Sequence, residues 1–114
     1  MDLQDEIDEL TRRFVSAFNR GDAAEAASYY TSDAIYANPG PVVAFGREAI
    51  RVAFEQEFRS GARITFFETL RCEGDGSSAW ALQRFPTNTG ETVLMIALRR
   101  EEGRWLIASE TVTA

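Results

Sequence analysis

Apolar side chains recur at three- and four-residue intervals through the first half of the chain and at two-residue intervals through the second. Leu3, Ile7, Leu10, Phe14, Ala17 and Phe18 share one stripe of a helix, and "NRGD" with Gly21 stops it. Asp22 has the short acceptor side chain of an N-cap, so a second helix is expected over Ala23 to Tyr30. "TSD" closes that helix, a short strand follows over Ile35 to Ala37, and "NPGP" reads as a turn. In "FGREAIRVAFEQEF", Ile50, Ala53, Phe54, Glu57 and Phe58 fall along one stripe of a third helix. Beyond Gly61 the period changes to two. "RITFFETLRCE", "SAWALQRFP", "TVLMIALRR" and "RWLIASETV" are predicted strands, and "GDGS", "TNTG" and "EEG" are loops short enough for a consecutive antiparallel meander. Helices first and strands second predict an α+β fold, three helices packed on one face of a curved, mostly antiparallel sheet.

The 114 residues carry no linker, repeat or low-complexity stretch, so residues 1–114 are expected to form one domain. A net charge of −6 argues against a nucleic-acid surface, which needs clustered basic residues. The absence of histidine removes Ser-His-Asp and Cys-His schemes and the usual zinc sites. Acidic residues are scattered at no ligand spacing, and "GDGS" lacks the lysine of a phosphate-cradling loop, so neither metal nor cofactor is expected. Cys72 has no cysteine partner and no cluster of positive charge to activate it, which fits an inert thiol in a reducing compartment. No apolar run approaches about 20 residues, and the acidic opening "MDLQDEIDEL" does not read as a signal peptide. A cytoplasmic protein without membrane contact is the expectation.

The order of the elements, with "RGD" at 20–22, "YTSDA" at 30–34, "FGREAI" at 45–50, "EGD" at 73–75 and "EEGRW" at 101–105, resembles the nuclear transport factor 2-like superfamily. That superfamily includes SnoaL-like cyclases, ketosteroid isomerases and limonene epoxide hydrolases. The resemblance covers nearly the whole chain and implies a cone whose mouth is a ligand pocket and whose outer sheet face often forms a homodimer. It does not imply one activity. Against the ketosteroid isomerases the match fails at the chemistry: the general-base Asp corresponds to Asn38, the oxyanion-hole Tyr to Phe14, its Asp partner to Ile96, and a supporting Tyr to Phe54. Tyr30 alone matches a supporting tyrosine. An amide at position 38 cannot take a proton near neutral pH. Against the epoxide hydrolases, Tyr36 and Asn38 match a water-holding Tyr-x-Asn pair and Glu110 matches an acid on the last strand. The Arg-x-Asp pair is missing from "Ala81-Leu82-Gln83-Arg84-Phe85".

Glu110 shares strand parity with Leu106, Ala108 and Val112, a row the resemblance places in the pocket. A carboxyl there would be desolvated and its pKa raised; a solvated acid at the mouth, or an ion pair with Arg84, is the competing reading. Asn38 before Pro39 is either turn punctuation or a pocket amide. Glu68, in a row with Ile64, Phe66, Leu70 and Cys72, reads as a structural pairing group, reaching an arginine across a two-fold axis. Phe14, Phe18, Tyr30, Phe54 and Phe58 read as core, with some of them flooring a cavity. On the second strand of the meander Trp80, Leu82 and Arg84 share one face, and the expectation puts that face inside. With Leu94, Ile96, Ala108 and Val112 they complete the expected ligand-binding set. The leading expectation is a small-molecule-binding protein with an apolar pocket. Any chemistry would be proton transfer or water addition on a neutral organic substrate, with Glu110, Tyr36 and Asn38 as the catalytic residues. The alternative is a non-catalytic dimerisation or ligand-sensing module.

Overall fold

The computed structural model describes residues 2–39, 42–88 and 90–113. Helix α1 (Leu3–Asn19) begins at Asp2, whose Oδ1 accepts from the Asp5 N–H at 2.8 Å. Its buried face is the predicted stripe from Ile7 to Phe18 plus Thr11, whose hydroxyl donates to the Ile7 carbonyl, while Leu3 at the start of the stripe is only partly buried. The chain turns through Gly21 at φ +71°, a left-handed conformation that favours glycine, and Asp22 caps α2 (Ala23–Ser28) through the Glu25 N–H.

Helix α2 stops two residues short of its predicted end, because Tyr30 belongs to the sheet. Strand β1 (Tyr30–Asn38) is nine residues long, takes in "TSD", and is drawn into line by the Ile107 N–H, which donates to the Tyr29 carbonyl at 2.9 Å. It forms an unpredicted hairpin with β2 (Val42–Phe45), pairing Ile35 with Phe45 and Asn38 with Val42. Gly40 and Pro41 of the predicted "NPGP" turn, and Thr89 of the "TNTG" loop, lie outside the described residues. Helix α3 (Arg47–Arg59) starts after Gly46, which sits at φ +91° with its N–H donating to the Ala34 carbonyl at 2.7 Å. The Arg47 guanidinium donates twice to the Tyr30 carbonyl, at 3.0 and 2.7 Å, tying α3 to the start of β1.

Strands β3 (Glu68–Gly74), β4 (Ser78–Thr87), β5 (Gly90–Glu101) and β6 (Arg104–Thr113) form the predicted meander. The six-stranded sheet runs β2-β1-β6-β5-β4-β3, antiparallel throughout except for the parallel β1–β6 pair. Strand β3 starts five residues later than predicted. The backbone of Ile64 is occupied on both sides by the Asn19 side chain, whose Nδ2 donates to its carbonyl at 2.8 Å and whose Oδ1 accepts from its N–H at 2.9 Å.

Two bulges reset which side chains face the helices. Leu70 is the extra residue of β3 opposite Gln83 and Leu82, and Ala108 is the extra residue of β6 opposite Ala97 and Leu98. On β6 the inward residues are therefore Trp105 and Ile107 before the bulge and Glu110 and Val112 after it. The continuous row Leu106, Ala108, Glu110, Val112 does not exist, and Ala108 does not face the cavity. On β3, Glu68 is likewise out of phase with Cys72.

On β4 the inward face is Ala79, Ala81, Gln83 and Phe85, which corrects the expectation for Trp80, Leu82 and Arg84. Cross-strand pairing fixes this: Ala81 lies beside Ile96 and Ile96 beside Glu110, while Gln83 lies beside Leu94 and Leu94 beside Val112. Ala81 is completely buried, a place without room for an indole. Gln83 is buried with its amide satisfied by the hydroxyls of Thr11 and Thr69, at 2.9 and 3.2 Å. Arg84 points outward, bridging Glu68 and Glu91 at 3.2 and 2.9 Å. Glu68 thus pairs within its own chain.

Candidate functional site

Between α1, α3 and the inner sheet face lies a cavity of about 220 Å³. Phe14 and Phe18 enter it from α1 because they follow Leu10 at helical spacing, and Phe54 enters from α3 one turn after Ile50. Phe54 is the hub of the aromatic wall, its ring centroid 5.6 Å from Phe14, 5.6 Å from Tyr36, 5.7 Å from Tyr30 and 6.0 Å from Phe18. The sheet supplies Phe85, Leu94 and Val112, and the segment held by Asn19 supplies Ile64. Four polar side chains, Tyr36, Asn38, Glu57 and Glu110, share the lining with these apolar groups, beside Thr87 and Thr92.

Glu110 is buried, with the Tyr30 hydroxyl donating to its Oε1 at 2.6 Å. Its Oε2 takes no hydrogen bond from the described residues. Burial raises the carboxyl from its ordinary 4.5 to about 7; the neighbouring Glu57 adds to the rise and the Tyr30 hydrogen bond opposes it. Tyr30 is fully buried, and burial together with Glu110 holds its hydroxyl well above its ordinary value. It therefore stays protonated and able to donate to Oε1, which leaves Oε2 as the oxygen free to carry a proton when Glu110 is neutral.

Glu57 is half-buried at the next turn of α3 after Phe54. Its Oε1 accepts from the Tyr36 hydroxyl at 2.7 Å and from the Asn38 amide at 3.0 Å. Burial raises its pKa, while these two donors favour the ionised form. Tyr36 is held protonated by burial and by the two carboxyls. Asn38 is thus more than turn punctuation, since its amide is committed to a carboxylate at the cavity.

Phe14, Phe18, Tyr36, Asn38, Phe54, Leu94, Glu110 and Val112, all expected from sequence, meet at this cavity. Tyr30 stands behind Glu110 rather than in the lining, and Phe58 packs edge-on against Phe18 at 4.9 Å. Ile96 faces a separate void of about 20 Å³ that Glu110 also touches. Trp80, Leu82, Arg84 and Ala108 lie elsewhere. Glu57, Ile64 and Phe85 were missed as lining residues. Glu57 did carry a signal, as the one charge in the stripe Ile50, Ala53, Phe54, Phe58. Among the described residues no three Asp, Glu or Cys side chains come together as metal ligands, and no helix is long and apolar enough to cross a membrane.

A family model described as "SnoaL-like domain" matches residues 11–107. No curated protein matches the chain. Similar folds include a protein of unknown function with a cystatin-like fold from Nostoc punctiforme, at TM-score 0.85 and 18% identity over 96% of this chain and 88% of that one. A nuclear transport factor 2-like protein from Novosphingobium aromaticivorans aligns at TM-score 0.77 and 22% identity over 96% and 79%. A protein from Catenulispora acidiphila, in complex with S-DNPA, aligns at TM-score 0.76 and 27% identity over 96% and 91%.

Proposed function

The chain belongs to the SnoaL-like domain family of the nuclear transport factor 2-like superfamily, and from that premise we propose that it binds a compact, mainly apolar small molecule in the cavity between α1, α3 and the sheet. The observation that carries this reading is the lining itself, aromatic and aliphatic walls with a few polar groups able to orient a ligand. The cavity is at the small end of the ~300–1,000 Å³ usual for ligand sites, so a ligand of one ring and a short substituent suits it. The complex of the Catenulispora protein with S-DNPA supports small-molecule binding in this fold. The same groups support proton-transfer chemistry: Glu110 has an acidic proton on Oε2, and Glu57, held by Tyr36 and Asn38, is the base. Methyl NMR with a library of small aromatic and alicyclic compounds tests the binding reading. Saturable shifts should concentrate at Ile64, Leu94 and Val112; shifts scattered over the surface, or none, would refute it. Glu110→Gln then separates turnover from binding, since an enzyme loses turnover and a binding protein keeps its affinity within severalfold.

A second reading, self-association through the outer sheet face, is favoured by one observation. Phe45, Val43, Ile35, Met95 and Leu82 project from that face, and Phe45 is 70% exposed. An antiparallel sheet face turned to water is normally polar. Sedimentation should give a dimer for the native chain and a monomer for Met95→Glu; a native monomer would end this reading without touching the first.

A further inference from the structure

Taking the cavity as a ligand site, we propose that its ligand carries a protonated amine on the apolar body, and that Glu57 and Glu110 receive the ammonium group. Charge complementarity carries the inference. The chain contains no lysine, and none of its twelve arginines lines the cavity, whereas two carboxyl groups do. The contrast within α3 is sharp. On the outer side of that helix Arg51 sits between Glu48 and Glu55 and pairs with both. On the inner side Glu57 is held by two neutral donors, both on Oε1, and forms no ion pair among the described residues. A half-buried carboxylate is normally matched by a cation. Here the fold supplies donors that hold the carboxylate in place and leaves Oε2 without a hydrogen bond from the described residues.

Glu110 repeats the pattern at greater depth. Only 8% of it is exposed, its Oε1 is fixed by Tyr30, and its Oε2 takes no hydrogen bond from the described residues. The rest of the wall suits an organic cation, because the π-faces of Phe14, Phe18 and Phe54 attract positive charge as well as apolar surface. It does not suit a metal ion, since hard cations take six or more oxygen ligands. An anion would meet Glu57 with no cation to receive it. On this proposal the ligand is cationic, where the sequence led to the expectation of a neutral organic molecule.

Seating the ammonium favours ionised Glu110, so binding at pH 6 releases a proton from its Oε2 to solvent. The other titratable groups facing Glu110 are Tyr30 and Tyr36 from β1, which stay protonated, and Glu57 from α3.

The probes are three molecules of similar shape: 2-phenylethylammonium, 2-phenylethanol and 3-phenylpropanoate. Titration calorimetry and methyl NMR would be run on the native chain, Glu57→Gln and Glu110→Gln, with amide spectra confirming that both variants fold. The ammonium should bind the native chain at least tenfold more tightly than the alcohol, and the propanoate should not bind. Glu57→Gln should reduce that preference to about twofold. Calorimetry at pH 6 in two buffers of different ionisation enthalpy should detect proton release that Glu110→Gln abolishes. An alcohol that binds as tightly as the ammonium, with shifts at Ile64, Leu94 and Val112, would overturn the amine assignment and leave the cavity as a ligand site. A preference that survives in both variants would overturn it too. Failure of all three probes to shift those methyls would overturn the assignment and count against the cavity reading itself.

Discussion

Replacing Glu110 with glutamine alters the pH dependence of stability by a calculable amount. In the folded chain the carboxyl titrates at about 7 instead of 4.5, chiefly because burial disfavours its charged form. Between those values the folded chain holds a proton that the unfolded chain has released, so stability falls as pH rises. The contribution is complete below pH 4.5 and gone above about 7, and at ~1.36 kcal/mol per pH unit it amounts to about 3 kcal/mol. Glutamine keeps the shape and still accepts from Tyr30 but does not titrate. Asp33, Glu48 and Asp75 have lowered pKa values and act with the opposite sign, losing stability as pH falls below the ordinary carboxylate range; they are common to both proteins and cancel in the difference. Urea denaturation of both proteins from pH 5 to pH 8, at one fixed protein concentration, measures the effect. Over that range the native chain should lose about 2.5 kcal/mol relative to Glu110→Gln. Stability curves that stay parallel within about 0.5 kcal/mol would mean that Glu110 titrates like a solvated acid, and the buried acid at the cavity would be refuted.

Glu57→Gln removes a like charge from beside Glu110, so carbon-detected NMR of the Glu110 carboxyl should show its titration moving down from about 7. Phe54→Ala should cost about 3–5 kcal/mol in urea denaturation, because the ring is 1% exposed and touches four other aromatic rings. Asn19→Ala removes both hydrogen bonds to the Ile64 backbone and should cost about 1–3 kcal/mol, with faster hydrogen exchange at the Ile64 amide as the local readout.

The helices were legible because their determinants are local: an apolar stripe, the Asp22 cap of α2, and Gly21 at the first stop. The errors in the fold arose where a distant group decides a short segment. Tyr29 and Tyr30 continue the α2 pattern acceptably, and it is pairing with Ile107, far along the chain, that turns Tyr30 into strand. "RITFF" alternates like a strand, yet the backbone N–H and carbonyl of its Ile64 are taken by Asn19 from the end of α1, and among the described residues only an isolated bridge between Ile64 and Thr87 forms there. Strand β2 has four residues, too few to display a period, and its pairing with β1 is set by the register of Ile35 with Phe45 and Asn38 with Val42.

The site was legible as a set of residue types and illegible in its phase. Strict alternation from Trp105 and Ile107 would send positions 109 and 111 inward and leave Glu110 facing out. The one-residue bulge at Ala108 reverses that, so a distortion that no periodicity reveals is what brings the carboxyl to the cavity. Glu57 reaches the same space by unbroken helical spacing from Ile50 and Phe54. The two glutamates then differ through their surroundings alone. One is sunk behind a single tyrosine donor and driven toward neutrality; the other is less buried and held by two donors that favour its charge. Two identical side chains at one cavity thus have pKa values governed by different balances of burial and hydrogen bonding, a difference set by the bulge on β6 and the helical spacing on α3 rather than by residue type.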